Sequence, residues 1–71
     1  MNLELGIAVK VCADSVAELR AVDVERFVEE ADERGYDPEF SLGWLLKHPD
    51  ISERTAQAAS KLRSEYTGGR L

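Results

Sequence analysis

Two prolines decide most of what the second half of this 71-residue chain can fold into. Proline lacks a backbone N–H and disfavours α geometry at the residue before it, so it can open a helix but not sit inside one. In "YDPEF", Asp37 is placed to cap a helix, Pro38 to occupy its first turn and Glu39 to complement its dipole. That helix has to stop by His48, because Pro49 follows. Phe40, Leu42, Trp44, Leu45 and Leu46 point nearly all round it, so it is either central to a core or covered by a partner. A further helix starts after "PD". Asp50 with Glu53 three residues on reads as a capping box, with Ser52 as a rival cap. Ile51, Thr55, Ala58, Leu62 and Tyr66 share one face, and the small Ala56, Ala58, Ala59 and Ser60 permit close helix approach. The core of this half is expected from Trp44, Leu45, Ile51 and Leu62.

The preceding segment carries the same punctuation. Asp23 reads as an N-cap, and Val22 with Phe27 has the look of a hydrophobic staple. Val24, Phe27, Val28 and Ala31 form an apolar stripe ending near Arg34, with Gly35 suited to the left-handed position past the end. A short helix from Asp14 or Ser15 to about Ala21 comes before it.

The N-terminal run supports two readings. Leu3, Leu5, Ile7, Val9 and Val11 alternate with other residues, which is a strand pattern, and this is the favoured reading. Leu5, Val9, Cys12, Val16 and Leu19 also fall at helical spacing. A lone strand cannot satisfy its own backbone. No other strand run exists, so this reading implies a homodimer seam through residues 3–11 or addition to the edge of a partner's sheet. The expected architecture is therefore mainly α: one domain over residues 1–71, a small bundle of three to four short helices. Residues 1–12 form a single N-terminal β-strand or a first helix, and 67–71 a loose tail.

A chain this short buries only ~60% of its unfolded surface, so its margin of stability is small. Cys12 is the only cysteine, which argues against a disulfide scaffold and for a reducing cytoplasm. No run approaches the ~20 apolar residues of a membrane span. One Cys and one His, far apart in sequence, cannot build a tetrahedral metal site without several carboxylates, Cys12 sits in an apolar pattern that suits a structural thiol, and the glycines fit no phosphate loop. An enzyme is not expected, nor is a cofactor or a metal.

Net charge is −5. Residues 1–41 hold four basic against eleven acidic side chains, and residues 42–71 five against three. Glu25, Glu29, Glu30, Asp32 and Glu33 lie opposite the apolar stripe of one helix, with only Arg26 and Arg34 to offset them. Such a face either keeps a protein soluble or docks onto a basic patch of another. Glu25, Glu29, Glu30, Glu33 and Trp44 are the candidate protein-binding residues.

The stretch "LGWLLKHPDISERTAQAASKL" resembles a helix-turn-helix, and "LLKHPDISERTA" looks like phrases in bacterial winged-helix regulators. The resemblance covers residues 42–62. It implies that Ser52, Glu53, Arg54, Gln57 and Lys61 face nucleic acid, with Arg54, Gln57 and Lys61 the candidate DNA contacts. The usual turn glycine is absent, and Asp50 and Glu53 stand where phosphate would meet the helix N-terminus. The expectation is accordingly a small non-enzymatic regulator that docks on another protein. It is of the kind that phages and mobile elements use against host transcription or nuclease machinery in the host cytoplasm. The alternative is a helix-turn-helix DNA-binding transcription regulator.

Overall fold

The computed structural model describes residues 3–68 as four α-helices joined by short turns, with no strand among them. They are α1 (Leu3–Cys12), α2 (Val24–Glu33), α3 (Pro38–Leu46) and α4 (Glu53–Gly68). The mainly helical small bundle is as expected, and the favoured strand reading of residues 3–11 is not: they form α1. Backbone pairing is the physical reason. A helix closes its own hydrogen bonds, whereas a strand here has nothing to pair with. The residues sort accordingly. Leu5, Ala8 and Val9 are buried, while Ile7 and Val11, which strand alternation would place beside Leu5 and Val9, are 49% and 40% exposed. A homodimer through residues 3–11 thus has no strand edge on which to form.

From Cys12 the chain makes two short 3-10 turns, Val16–Glu18 and Ala21–Asp23, with extended backbone at Leu19 and Arg20 between them. These replace the single helix expected over 14–21. Both turns are tied: Val16 and Leu19 are buried, and Arg20 and Asp23 exchange hydrogen bonds. The Asp23 N–H donates to the Arg20 carbonyl at 2.9 Å, and the Arg20 N–H donates to Asp23 Oδ2 at 3.0 Å. Asp23 is therefore occupied within its own turn and does not cap α2 with its side chain. Val22 is no staple either, since it stands 76% exposed.

Helix α2 is the hub. Val24, Phe27, Val28 and Ala31 are all buried, as their spacing predicts. It packs against α1 on one side and against α3 and α4 on the other. Its end is a Schellman turn. The Tyr36 N–H donates to the Ala31 carbonyl and the Gly35 N–H to the Asp32 carbonyl, both at 3.0 Å, with Gly35 at φ +90°. Arg34 folds back to donate to the Glu30 carbonyl at 2.8 Å and to Glu30 Oε1 at 2.9 Å.

Asp37 caps α3 as expected, accepting from the N–H groups of Glu39 and Phe40 at 3.0 and 3.2 Å. Leu42 and Leu45 are buried, while Trp44 and Leu46 are half-buried. The all-round apolar pattern of α3 follows from its place between α2 and α4. Its outward Phe40 stacks on Tyr36 with ring centroids 6.1 Å apart. Buried Ser41 is satisfied by donating to the Asp37 carbonyl at 2.9 Å.

At the start of α4, Ser52 is the cap and Asp50 is not. Ser52 Oγ accepts from the Thr55 N–H at 3.3 Å, and no capping box forms at Asp50, whose own N–H donates to His48 Nδ1 at 3.1 Å. The helix then runs through Thr67 to Gly68, which the loose tail expected over 67–71 would have included, and residues 69–71 lie outside the described residues. Of the expected core residues, Leu45 is fully buried, whereas Trp44, Ile51 and Leu62 pack partly buried against the core.

Candidate functional site

The geometry of α2 divides its charged residues into two flanks. With about 3.6 residues per turn, Glu25, Glu29, Asp32 and Glu33 recur at i, i+4, i+7 and i+8 and share one flank, and all four are exposed. Arg26, Glu30 and Arg34 fall on the other flank, towards Cys12 of α1, where Arg26 and Glu30 act electrostatically on the thiol. Of the expected acidic contacts, Glu25, Glu29 and Glu33 are therefore brought together. Glu30 stands apart and is held by Arg34 at 2.9 Å. The ion pairs Glu30–Arg34 and the exposed Arg20–Asp23, at 3.5 Å, do not involve the four-carboxylate flank. Asp32 belongs to that flank by the i+7 spacing, a signal already present in the sequence.

Trp44 is not part of this surface. Its indole stacks on buried Phe27 at 6.0 Å and meets the ring of His48 edge-on at 5.6 Å. Phe27 lies on the side of α2 opposite Glu29, so the tryptophan supports the core side of the bundle. Its outer edge borders a shallow groove with Val9, Val16 and His48.

On α4, Arg54, Gln57 and Lys61 are exposed at i, i+3 and i+7. Arg63 points elsewhere, with its guanidinium over Gly43, 3.5 Å from where a Cβ there would be. One turn further along α4, Thr67 Oγ1 donates to Glu39 Oε2 at 3.0 Å. The contacts step back along α3 as they step forward along α4. Helix α4 thus packs on α3, with Arg63 against Gly43 and Thr67 against Glu39.

A groove that sequence reasoning missed runs between the Ala21–Asp23 turn and α4. Val22, Ala58 and Leu62 form its apolar surface, and Glu25, Lys61 and Glu65 its rim. The only advance signal was Val22 itself, an apolar residue just ahead of the buried stripe, which staple spacing misassigned.

Chemical reactivity is muted elsewhere. Burial pushes the Cys12 thiol above its ordinary pKa, a rise that Arg26 partly opposes, and so disfavours the nucleophilic thiolate. No hydrogen bond joins Cys12 to His48, whose Nδ1 is engaged with the Asp50 N–H. Among the described residues, no group of three His, Cys, Asp or Glu side chains could hold a metal ion, and no helix is long and apolar enough to cross a membrane. No protein-family model, curated protein or solved structure matches the chain.

Proposed function

We propose that this chain is a small regulatory protein that acts by docking on another protein, with the acidic flank of α2 as its recognition surface. One observation carries the reading. Glu25, Glu29, Asp32 and Glu33 stand together, exposed and without a cation, on a helix whose remaining carboxylate, Glu30, has one. Like charges at i, i+4 cost an isolated helix about 0.2–0.5 kcal/mol per pair. The flank holds two such pairs, Glu25–Glu29 and Glu29–Glu33. A basic surface on a partner turns that repulsion into attraction and speeds encounter. Small phage-type or mobile-element proteins that bind host transcription or nuclease machinery are the class of protein this fits, by analogy of size and charge.

The test is affinity capture from lysate of the source cell with wild-type protein and with the Glu25→Lys, Glu29→Lys, Glu33→Lys variant. Loss of the captured partner at unchanged helical circular dichroism is expected, and Glu30→Gln should retain it. Capture undiminished by the triple reversal would refute the reading.

A second reading, nucleic-acid contact through α4, draws on the shared exposed flank of Arg54, Gln57 and Lys61. It requires a mobility shift at about 50 mM salt, where screening is weak. The shift must be lost on changing Arg54 and Lys61 to Ala, and no shift at that salt ends it.

A further inference from the structure

We infer that the docking partner presents an amphipathic basic helix. Its apolar side chains enter the groove between the Ala21–Asp23 turn and α4, and its cations lie against the acidic flank of α2. This rests on the docking reading above and adds a second contact surface and a partner conformation to it.

Val22 is 76% exposed, the most of any large hydrophobic among the described residues. It is not on a loose loop, because the Arg20–Asp23 exchange pins the turn that carries it. Across the groove lie half-buried Ala58 and Leu62, one helical turn apart on α4. The small Ala58 lets another backbone approach closely. The cavity measures about 250 Å³. That is below the roughly 300–1,000 Å³ of small-molecule sites, and fits inserted side chains of a macromolecule better than an enclosed ligand.

Charge selects the occupant. The rim carries Glu25 and Glu65 against one cation, Lys61. Glu25 is also the first residue of the acidic flank, so apolar surface and carboxylates adjoin. A second copy of the chain is disfavoured, since each copy carries −5 and would bring its own acidic rim. A helix with one apolar and one basic side matches both features, and helix-in-groove docking reads such anchors at i, i+3, i+4 and i+7.

The full chain, ¹⁵N-labelled, is titrated at about 50 mM salt with two synthetic 18-residue peptides of Leu and Lys. One has its leucines at helical spacing, and the other has the same composition shuffled so that no apolar face forms. The inference expects amide shifts at Ala21, Val22, Ala58 and Leu62, and an affinity about tenfold higher for the segregated peptide. Val22→Ser, at a position too exposed to matter for folding, should remove most of that preference, and so should Ala58→Gln. Lys61→Glu should tighten binding a few-fold. Equal affinities with shifts confined to residues 25–33 would overturn the groove while leaving the acidic docking surface standing. Shifts centred on Trp44 would also overturn the groove. Binding of neither peptide would overturn both the groove and the acidic surface.

Discussion

The hydrogen bond most worth breaking is the one from Thr55 Oγ1 to the Leu19 carbonyl. It is 2.6 Å long, is buried, and links residues 36 apart in sequence. Thr55 is 1% exposed, and its Oγ1 also accepts from Ser52 Oγ at 2.9 Å, so one hydroxyl ties the α4 cap to the extended segment between the two 3-10 turns. Thr55→Val keeps the shape and removes both bonds. A buried group left unsatisfied costs about 1–3 kcal/mol, and the Leu19 carbonyl becomes one, so a loss of about 2 kcal/mol is expected. Thr55→Ser keeps both bonds and loses one buried methyl, about 0.8 kcal/mol. At roughly 4–8 °C per kcal/mol for a domain of this size, the Val variant should melt roughly 8–16 °C lower and the Ser variant roughly 3–6 °C lower. Urea unfolding followed by circular dichroism should give the same order with an unchanged m-value. Burial of apolar volume alone ranks the variants the other way. A Val variant as stable as the Ser variant, or more so, would refute the role given to this bond.

Gly6 has open space where a Cβ would sit, so Gly6→Ala should stabilise α1 by up to about 1 kcal/mol in urea; destabilisation would count against a helix at residues 3–12. Gly43→Ala should gain a similar amount, because its Cβ would meet the Arg63 guanidinium at 3.5 Å, an ordinary contact. Gly35→Ala should instead lose about 1–2 kcal/mol, since φ is +90° there, and unchanged urea stability would refute the Schellman turn. Burial raises the Cys12 pKa in the folded state. The native fold therefore holds that proton more tightly than the unfolded chain. The stability this contributes is complete below the ordinary thiol pKa and is lost as pH rises through the folded value. Alkylation by iodoacetamide should be slower in native protein than in urea, with its pH profile moved to the alkaline side; matching profiles would refute it.

What sequence reasoning could and could not reach separates by the range of the forces involved. The stripe Val24–Phe27–Val28–Ala31, the Asp37 cap and the Gly35 turn are local, and each lies where its spacing puts it. Residues 3–12 are a different case. Strand and helix patterns both fit them, and the choice depends on whether the rest of the chain supplies a second strand. It does not, and α2 supplies an apolar face for Leu5 and Val9 instead. Val22 and Asp23 had the spacing of a staple and a cap, but the tight Ala21–Asp23 turn occupies the aspartate and turns the valine outward. The acidic flank was legible as a set of charges. Its division from Glu30 follows from the helical period, but the Glu30–Arg34 pairing and the separation of the flank from Trp44, which stacks on Phe27, were not legible.

The start of α4 shows how such a misreading propagates into a functional argument. Asp50 and Ser52 both have the chemistry of a cap, and the aspartate had the stronger local pattern through Glu53. Ser52 holds the position because Thr55, three residues on, reaches the distant Leu19 carbonyl, and its N–H and Oγ1 are then both placed for the serine hydroxyl. The carboxylate thought to occupy the phosphate position at that helix end is therefore not the capping group. Glu53 still stands in the first turn, and α4 packs on α3. Arg63 lies over Gly43 and Thr67 against Glu39, which commits that side of α4 to the fold. Two flanks remain open: one carries Arg54, Gln57 and Lys61, and the other carries Ala58, Leu62 and Glu65. Lys61 borders both, so its substitution separates the two readings by sign. Removing its charge weakens a nucleic-acid contact, and reversing it strengthens the grip on a basic helix.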